Sequence, residues 1–331
     1  MLSRIAESLF WIGRYVERAD DTARILDAFL GRLLEDPWAD EDAACRTLLG
    51  ILGAPAPQER RLTTGDVLEL LGFDSEDPSA ISGAIASARD NARGVRDTIS
   101  SEMWECLNVT WHALASRRVA AERLGPNIFL SYVRERAALL AGLTESTMSR
   151  DEGWRFLVLG RSLERVDMTA RLVSIQAHQG GARAAGAGSG GRQNTPDEDS
   201  GWRTVLRACG ADEAFVRTHG GSFDSQRVSE FLLLDRLFPR SALHALGTAE
   251  QGLRELAPST ERAGMTDAAR GPIGQIRTRL EYTDTTTLLA ELPHHLRALQ
   301  QATAIASAAI SARYFPQSTP VTWGSAAWGA E

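Results

Sequence analysis

Apolar residues recur along this chain at three- and four-residue spacing, and alternation is nowhere sustained, which predicts helices and no substantial sheet. The first element spans residues 2–35, with Ile5, Leu9, Ile12, Val16, Ala19, Ala23, Leu26 and Leu30 along one side and Pro37 just past its end. The next is expected to open at Asp77-Pro78-Ser79, with Asp77 as cap and Pro78 in the first turn, and to run to Ile99. Residues 100–118 follow as another helix. Gly125-Pro126 then breaks the chain before 127–148, where Phe129, Val133, Ala137, Leu140 and Leu143 share a face. Shorter helices are expected over 201–219 and 225–253, with a break at Pro239, and over 267–284 and 286–315, where Pro293 kinks or splits the last element. The Gly-, Ala- and Ser-rich stretch 179–200 reads as a flexible insertion and 316–331 as a mobile tail.

Residues 151–178 repeat the first helix. Aligned on Gly13 and Gly160, the two share the pattern G-R-x-x-E-R-x-D-x-T-A-R: Arg14 with Arg161, Glu17 with Glu164, Arg18 with Arg165, Asp20 with Asp167, Thr22 with Thr169, Ala23 with Ala170 and Arg24 with Arg171. The flanking apolar residues keep phase, Ile12 with Leu159 and Val16 with Leu163, so duplication is the better reading. The fold class that follows is all-α: a multi-helix bundle with two related halves, 1–150 and 151–315, packed together.

At 100° per residue, Arg14, Glu17, Arg18, Asp21 and Arg24 fall opposite the apolar stripe. Surface ion pairs worth a few tenths of a kcal/mol would explain one such face. Recurrence at the same offsets points elsewhere, to one of two compatible arrangements. One is a buried polar seam in which guanidinium and carboxylate forks interlock. The other is a ligand site, with Glu17 or Glu164 as base and Arg14, Arg18, Arg161 and Arg165 as anion clamps.

Composition narrows the chemistry. All 36 basic residues are arginine, so lysine-dependent mechanisms are excluded, among them a P-loop lysine and a Schiff base. The net charge of −7 argues against a nucleic-acid partner. Cys45, Cys106 and Cys209 form no C-x-x-C pair, no apolar run is long enough to span a membrane, and the N-terminus lacks a signal-peptide pattern, so a cytoplasmic protein is expected. The six histidines make no metal signature and no metal site is expected; no standard nucleotide cradle is present in the sequence, which leaves any cofactor unknown. Arg89, Arg93 and Arg96 share a stripe beside Asp90 and Asp97, either as a solvated face or as a clamp for a carboxylate or phosphate. Arg240-Ser241, after Pro239, suits a helix cap or an anion position.

The segments 1–27, 88–100 with Trp104-Glu105-Cys106-Leu107-Asn108, 152–172 and 230–241 together resemble the Alpha-E family, a bacterial helical domain named for its ER motif. The resemblance covers nearly the whole chain. It implies a protein encoded beside, or fused to, a circularly permuted ATP-grasp amide ligase and a transglutaminase-like protein, and participation in making or modifying a peptide. It supplies no reaction. An accessory partner offering its ER face, an enzyme acting through the ER residues, and a purely structural role for the ER pairs all remain open, with Arg24 and Arg171 counted among the anion- or partner-binding candidates.

Overall fold

The computed structural model describes residues 1–36, 38, 40–186, 196–258, 262 and 266–315, with the backbone alone for 178–186 and 196–198. Within them are fourteen helices and no strand. In chain order these are α1 (Ser3–Glu35), α2 (Glu41–Leu52), α3 (Thr64–Val67), α4 (Ile81–Gly94), α5 (Ser101–Leu124), α6 (Asn127–Thr147) and α7 (Glu152–Gly186). Then come α8 (Pro196–Ala208), α9 (Asp212–His219), α10 (Ser225–Leu234), α11 (Ala242–Leu256), α12 (Arg270–Tyr282), α13 (Thr285–Ala290) and α14 (Leu292–Tyr314). A single π-helical turn, Leu68–Phe73, extends α3.

The two long helices carrying the repeat, α1 and α7, lie side by side and organise the rest. They run parallel: the Met1 amino group meets Glu152, Gly13 lies against Leu157, and Arg18 reaches Glu164. Each is packed by a matching set, α1 by α4 and α6, α7 by α11 and α14. The correspondence extends to single positions. Ile81, Ala84, Ile85, Ala88 and Ala92 of α4 recur as Ala242, Ala245, Leu246, Ala249 and Leu253 of α11, all buried. Phe129, Leu130, Val133, Ala137, Leu140 and Thr144 of α6 likewise recur as His295, Leu296, Leu299, Thr303, Ala306 and Ile310 of α14. A pseudo-two-fold axis therefore runs between α1 and α7, along their common direction. The apolar core is continuous across it, from Leu9, Phe10 and Ile12 to Leu159, Leu163 and Val166.

Several helix boundaries differ from expectation for local reasons. Helix α4 begins at Ile81, not at Pro78, because the Asp77 side chain accepts the Ser79 amide at 2.8 Å and holds 77–80 in a turn. It stops at Gly94, after which the Thr98 amide bonds to the Val95 carbonyl at 2.8 Å in a turn. Helices α2 and α3 fall in a region where the sequence shows no clear element. Helix α2 is nonetheless well delimited: Asp40 caps its start, accepting from Asp42 at 3.1 Å, and Gly53 at φ 71° ends it in the left-handed conformation. Pro293 splits the last element, with α13 ending at Ala290 and Pro293 in the first turn of α14. In the stretch read as an insertion, α7 continues to Gly186 and α8 starts at Pro196; residues 187–195 and the tail 316–331 lie outside the described residues. No helix among the described residues is long and apolar enough to cross a membrane. All three cysteines are free and buried, and burial pushes the Cys209 thiol up to about 12.

Candidate functional site

The ER motif lies where α1 and α7 touch most closely. A methyl group on Gly13 would fall inside van der Waals contact with the Leu157 carbonyl oxygen, and one on Gly160 would collide in the same way with the Phe10 carbonyl. Phe10 and Leu157 are themselves equivalent in the repeat, so the two close approaches are one contact made twice. Glycine is needed at both positions because the backbones themselves meet.

One turn onward the charges interlock across the axis. Arg14 Nε donates to Glu164 Oε2 at 2.7 Å, and Arg18 Nε donates to Glu164 Oε1 at 2.7 Å. In the other direction, Arg165 donates to Glu17 through Nε at 2.5 Å and through Nη2 at 3.2 Å. Each glutamate of one copy is thus gripped by the arginines of the other. The fourth arginine departs from this symmetry: Arg161 donates to Glu145 of α6 at 3.3 Å, and its buried Nε finds no acceptor among the described residues. Arg14 instead places its second donor on Ser307 of α14 at 2.8 Å.

The sequence sets Glu17 and Asp21 opposite the apolar stripe, and so they are, but that side of α1 is also covered. Glu17, Asp20 and Asp21 are each 5% exposed and Glu164 is 2% exposed. Helix α7 and the segment before α11 enclose them. Arg240, in that segment, forms an ion pair with Glu17 at 2.8 Å and donates hydrogen bonds to Asp20 and Asp21. Asp20 is further held by Arg24 of its own helix at 3.0 Å, as Asp167 is by Arg171 at 2.8 Å. The expectation for 239–241 divides in two. Ser241 caps α11, accepting from His244 at 3.1 Å, while the Arg240 side chain turns into α1 instead of presenting an anion position.

The Arg240 cluster has no counterpart across the axis. Met168 stands where the first copy has Asp21, and with Pro78 and Pro239 aligned, Ser79 stands where the second half has Arg240. The carboxylates of Glu17, Asp20 and Asp21 come within 4.8 Å of one another, a spacing that can suit a metal ion. Here a guanidinium supplies the positive charge between them. Sequence reasoning did not foresee this convergence; the doubled acid Asp20-Asp21, against Asp167-Met168 in the second copy, is the one signal that bears on it.

These contacts fix the proton affinities. Burial alone would raise Glu17, but Arg240 and Arg165 outweigh it and hold the carboxyl at about 2. Glu164 is lowered in the same way, burial being overcome by Arg14 and Arg18. Asp21 goes the other way. Burial, opposed by Arg240 and reinforced by Glu17 and Asp20, raises it well above the usual carboxylate range, and its Oδ2 has no partner among the described residues. Burial and the neighbouring Arg165 lower Arg161, against the pull of Glu17.

Arg89, Arg93 and Arg96 stand apart from this network, on α4 and the turn after it. Arg89 donates to Asn108 of α5 at 2.9 Å and stacks 4.3 Å from the centre of the Trp111 ring, while Arg96 lies 4.8 Å from that of Trp104. Arg93 is exposed. The sequence-derived candidates therefore fall into two places: Arg14, Glu17, Arg18, Arg24, Arg161, Glu164, Arg165, Arg171 and Arg240 along the α1–α7 seam, and the other three on the α4–α5 surface.

A sequence model of the Alpha-E family, described as "a predicted alpha-helical domain with a conserved ER motif", matches residues 1–315. The chain is also similar to uncharacterized proteins of Mycobacterium bovis and of two strains of Mycobacterium tuberculosis, each 25% identical over 279 residues. The match covers 78% of this chain but spans only 30% of the length of those relatives. No solved structure matches.

Proposed function

The chain belongs to the Alpha-E family, and on that premise we propose that it is an accessory helical module of a larger peptide-making or peptide-modifying system, locked together by its ER motif. The chemistry would be carried by an ATP-grasp amide ligase and a transglutaminase-type partner, as the resemblance implies. The observation that carries the structural half of this reading is reciprocal pairing: Glu17 and Glu164 are buried, ionised and bound by arginines of the opposite repeat. The accessory half is supported by the relatives, in which the matched region is a minor part of a longer polypeptide.

A general base works best when its pKa lies near the working pH, and Glu17 at about 2 is far from neutrality. Both its oxygens also accept hydrogen bonds from Arg165, and it is ion-paired with Arg240. An enzyme acting through Glu17 or Glu164 is the weaker reading on both counts. The separating experiment pairs stability with function. Glu17→Gln and Glu164→Gln are each expected to lower the free energy of unfolding by about 3–5 kcal/mol, because each leaves a buried guanidinium without its counter-charge. Below their melting temperatures both variants should still co-purify with the ligase. Variants that melt like the wild type yet abolish turnover of an acyl or peptide substrate by the purified chain would overturn the proposal.

A further inference from the structure

The molecule also has a cleft away from the seam. This cleft of about 480 Å³ opens between α7, α11 and α12, and it shares no residue with the ER network. That volume lies within the range of small-molecule sites. Its apolar surface comes from Val158 and the half-buried Trp154 of α7, with Leu243 of α11.

Helix α11 keeps the cleft open. It carries Gly247 and Gly252 along the cleft, and a Cβ at Gly247 would meet nothing within 4 Å. Glycine inside a helix costs about 1 kcal/mol relative to alanine, and at Gly247 no packing constraint accounts for it. The space above that position is what its missing side chain leaves.

Charges of both signs border this space. Arg155 donates through Nε to Glu255 at 2.7 Å, Arg236 forms an ion pair with Glu281 at 2.8 Å, and Arg277 donates to Glu281 at 2.5 Å. A guanidinium has five N–H groups, so each of these arginines keeps donors beyond the bonds it makes, and each carboxylate keeps acceptor capacity. His244 adds a directed group. Its Nδ1 is 2.9 Å from the Arg236 carbonyl oxygen, which can only accept, so Nδ1 carries the hydrogen and Nε2 of the neutral ring is an acceptor. Trp154 Nε1, shielded from solvent, has no acceptor among the described residues.

An apolar floor between cationic donors and anionic acceptors suits neither a simple anion nor a hydrocarbon. We propose that the α7–α11–α12 cleft binds a small zwitterion with an apolar body, an amino acid or short peptide. The ligand carboxylate would be taken by the arginines and the ammonium by Glu255 and Glu281. This site does not depend on the role of the ER motif, so either can fail without the other.

The test is calorimetric titration of the full chain with the dipeptide alanyl-leucine, alongside its N-acetylated and C-amidated forms. Alanyl-leucine is expected to bind, and each capped form to bind at least about tenfold more weakly. Gly247→Leu places a side chain in the cleft while improving helix propensity, so it should keep or raise the melting temperature and weaken binding at least about tenfold. Arg155→Met, at a partly exposed position, is a second variant expected to weaken binding of the free dipeptide more than that of the amidated one. No heat of binding at about 10 mM alanyl-leucine, equal affinity for the capped forms, or unchanged affinity in both variants would overturn the proposal.

Discussion

Glu17 and Asp21 sit one turn apart on α1 and share Arg240, which lowers both, yet burial outweighs it at Asp21 and not at Glu17. Glu17 is held at about 2, below the ordinary carboxylate value of 4.5. A carboxyl with a depressed folded-state pKa contributes stability that is fully present above its unfolded value and is lost as pH falls through the folded one. At about 1.4 kcal/mol per unit, Glu17 contributes about 3 kcal/mol at neutral pH. Urea midpoints are expected to fall steeply below about pH 4.5 in the wild type and much less steeply in Glu17→Gln. Asp21 has the reverse sign: its raised pKa favours the folded state most at low pH, and that contribution fades as pH rises through the folded value. Asparagine nearly matches the shape of the protonated acid, and Asp21 Oδ2 has no bond to lose. Asp21→Asn is therefore expected to stay within about 1 kcal/mol of the wild type at neutral pH. Denaturation of both variants under one set of conditions checks this, and equal losses would refute the distinction.

At the scale of elements, the crossing of α1 and α7 is set by the absence of two side chains. Gly13→Ala and Gly160→Ala each drive a methyl into a backbone carbonyl, so each is expected to cost about 3 kcal/mol or more in urea unfolding. One separation of the helices relieves both clashes, so the double variant should lose less than the sum. Strictly additive losses would mean that the two contacts are independent. Much of this was legible in the sequence. Periodicity predicts α1, α6 and α7, and the repeat marks the residues that meet, because both are local or self-referential patterns. What the sequence withheld is equally specific. Arg240 reaches Glu17 across more than two hundred residues, and Arg161 turns to Glu145 on another helix, pairings that no spacing rule encodes. Helix α2 depends on the Asp40 cap and the left-handed Gly53, within a stretch whose hydrophobic period is weak. Helical periodicity sets the charges opposite the apolar stripe, but the cover over that side comes from distant segments.

For the whole molecule, the seam makes each half a condition of the other. Its ion pairs cross between halves, and the core continues through the axis. A single cooperative transition is expected, with helix content by far-ultraviolet dichroism and tryptophan fluorescence melting together; resolved midpoints would show that the halves are separable. The reciprocity of the seam also has a historical consequence. When residue i of one helix binds residue j of its neighbour, and the equivalent j binds the equivalent i, the contact is isologous, the form that identical subunits make about a two-fold axis. Glu17 with Arg165 and Glu164 with Arg18 have this form. The chain thus reads as a homodimer fused into one polypeptide. Once the two halves are encoded separately within one gene they need not remain identical, and Asp21 opposite Met168, like Arg240 opposite Ser79, is a one-sided change that two copies of a single subunit could not carry.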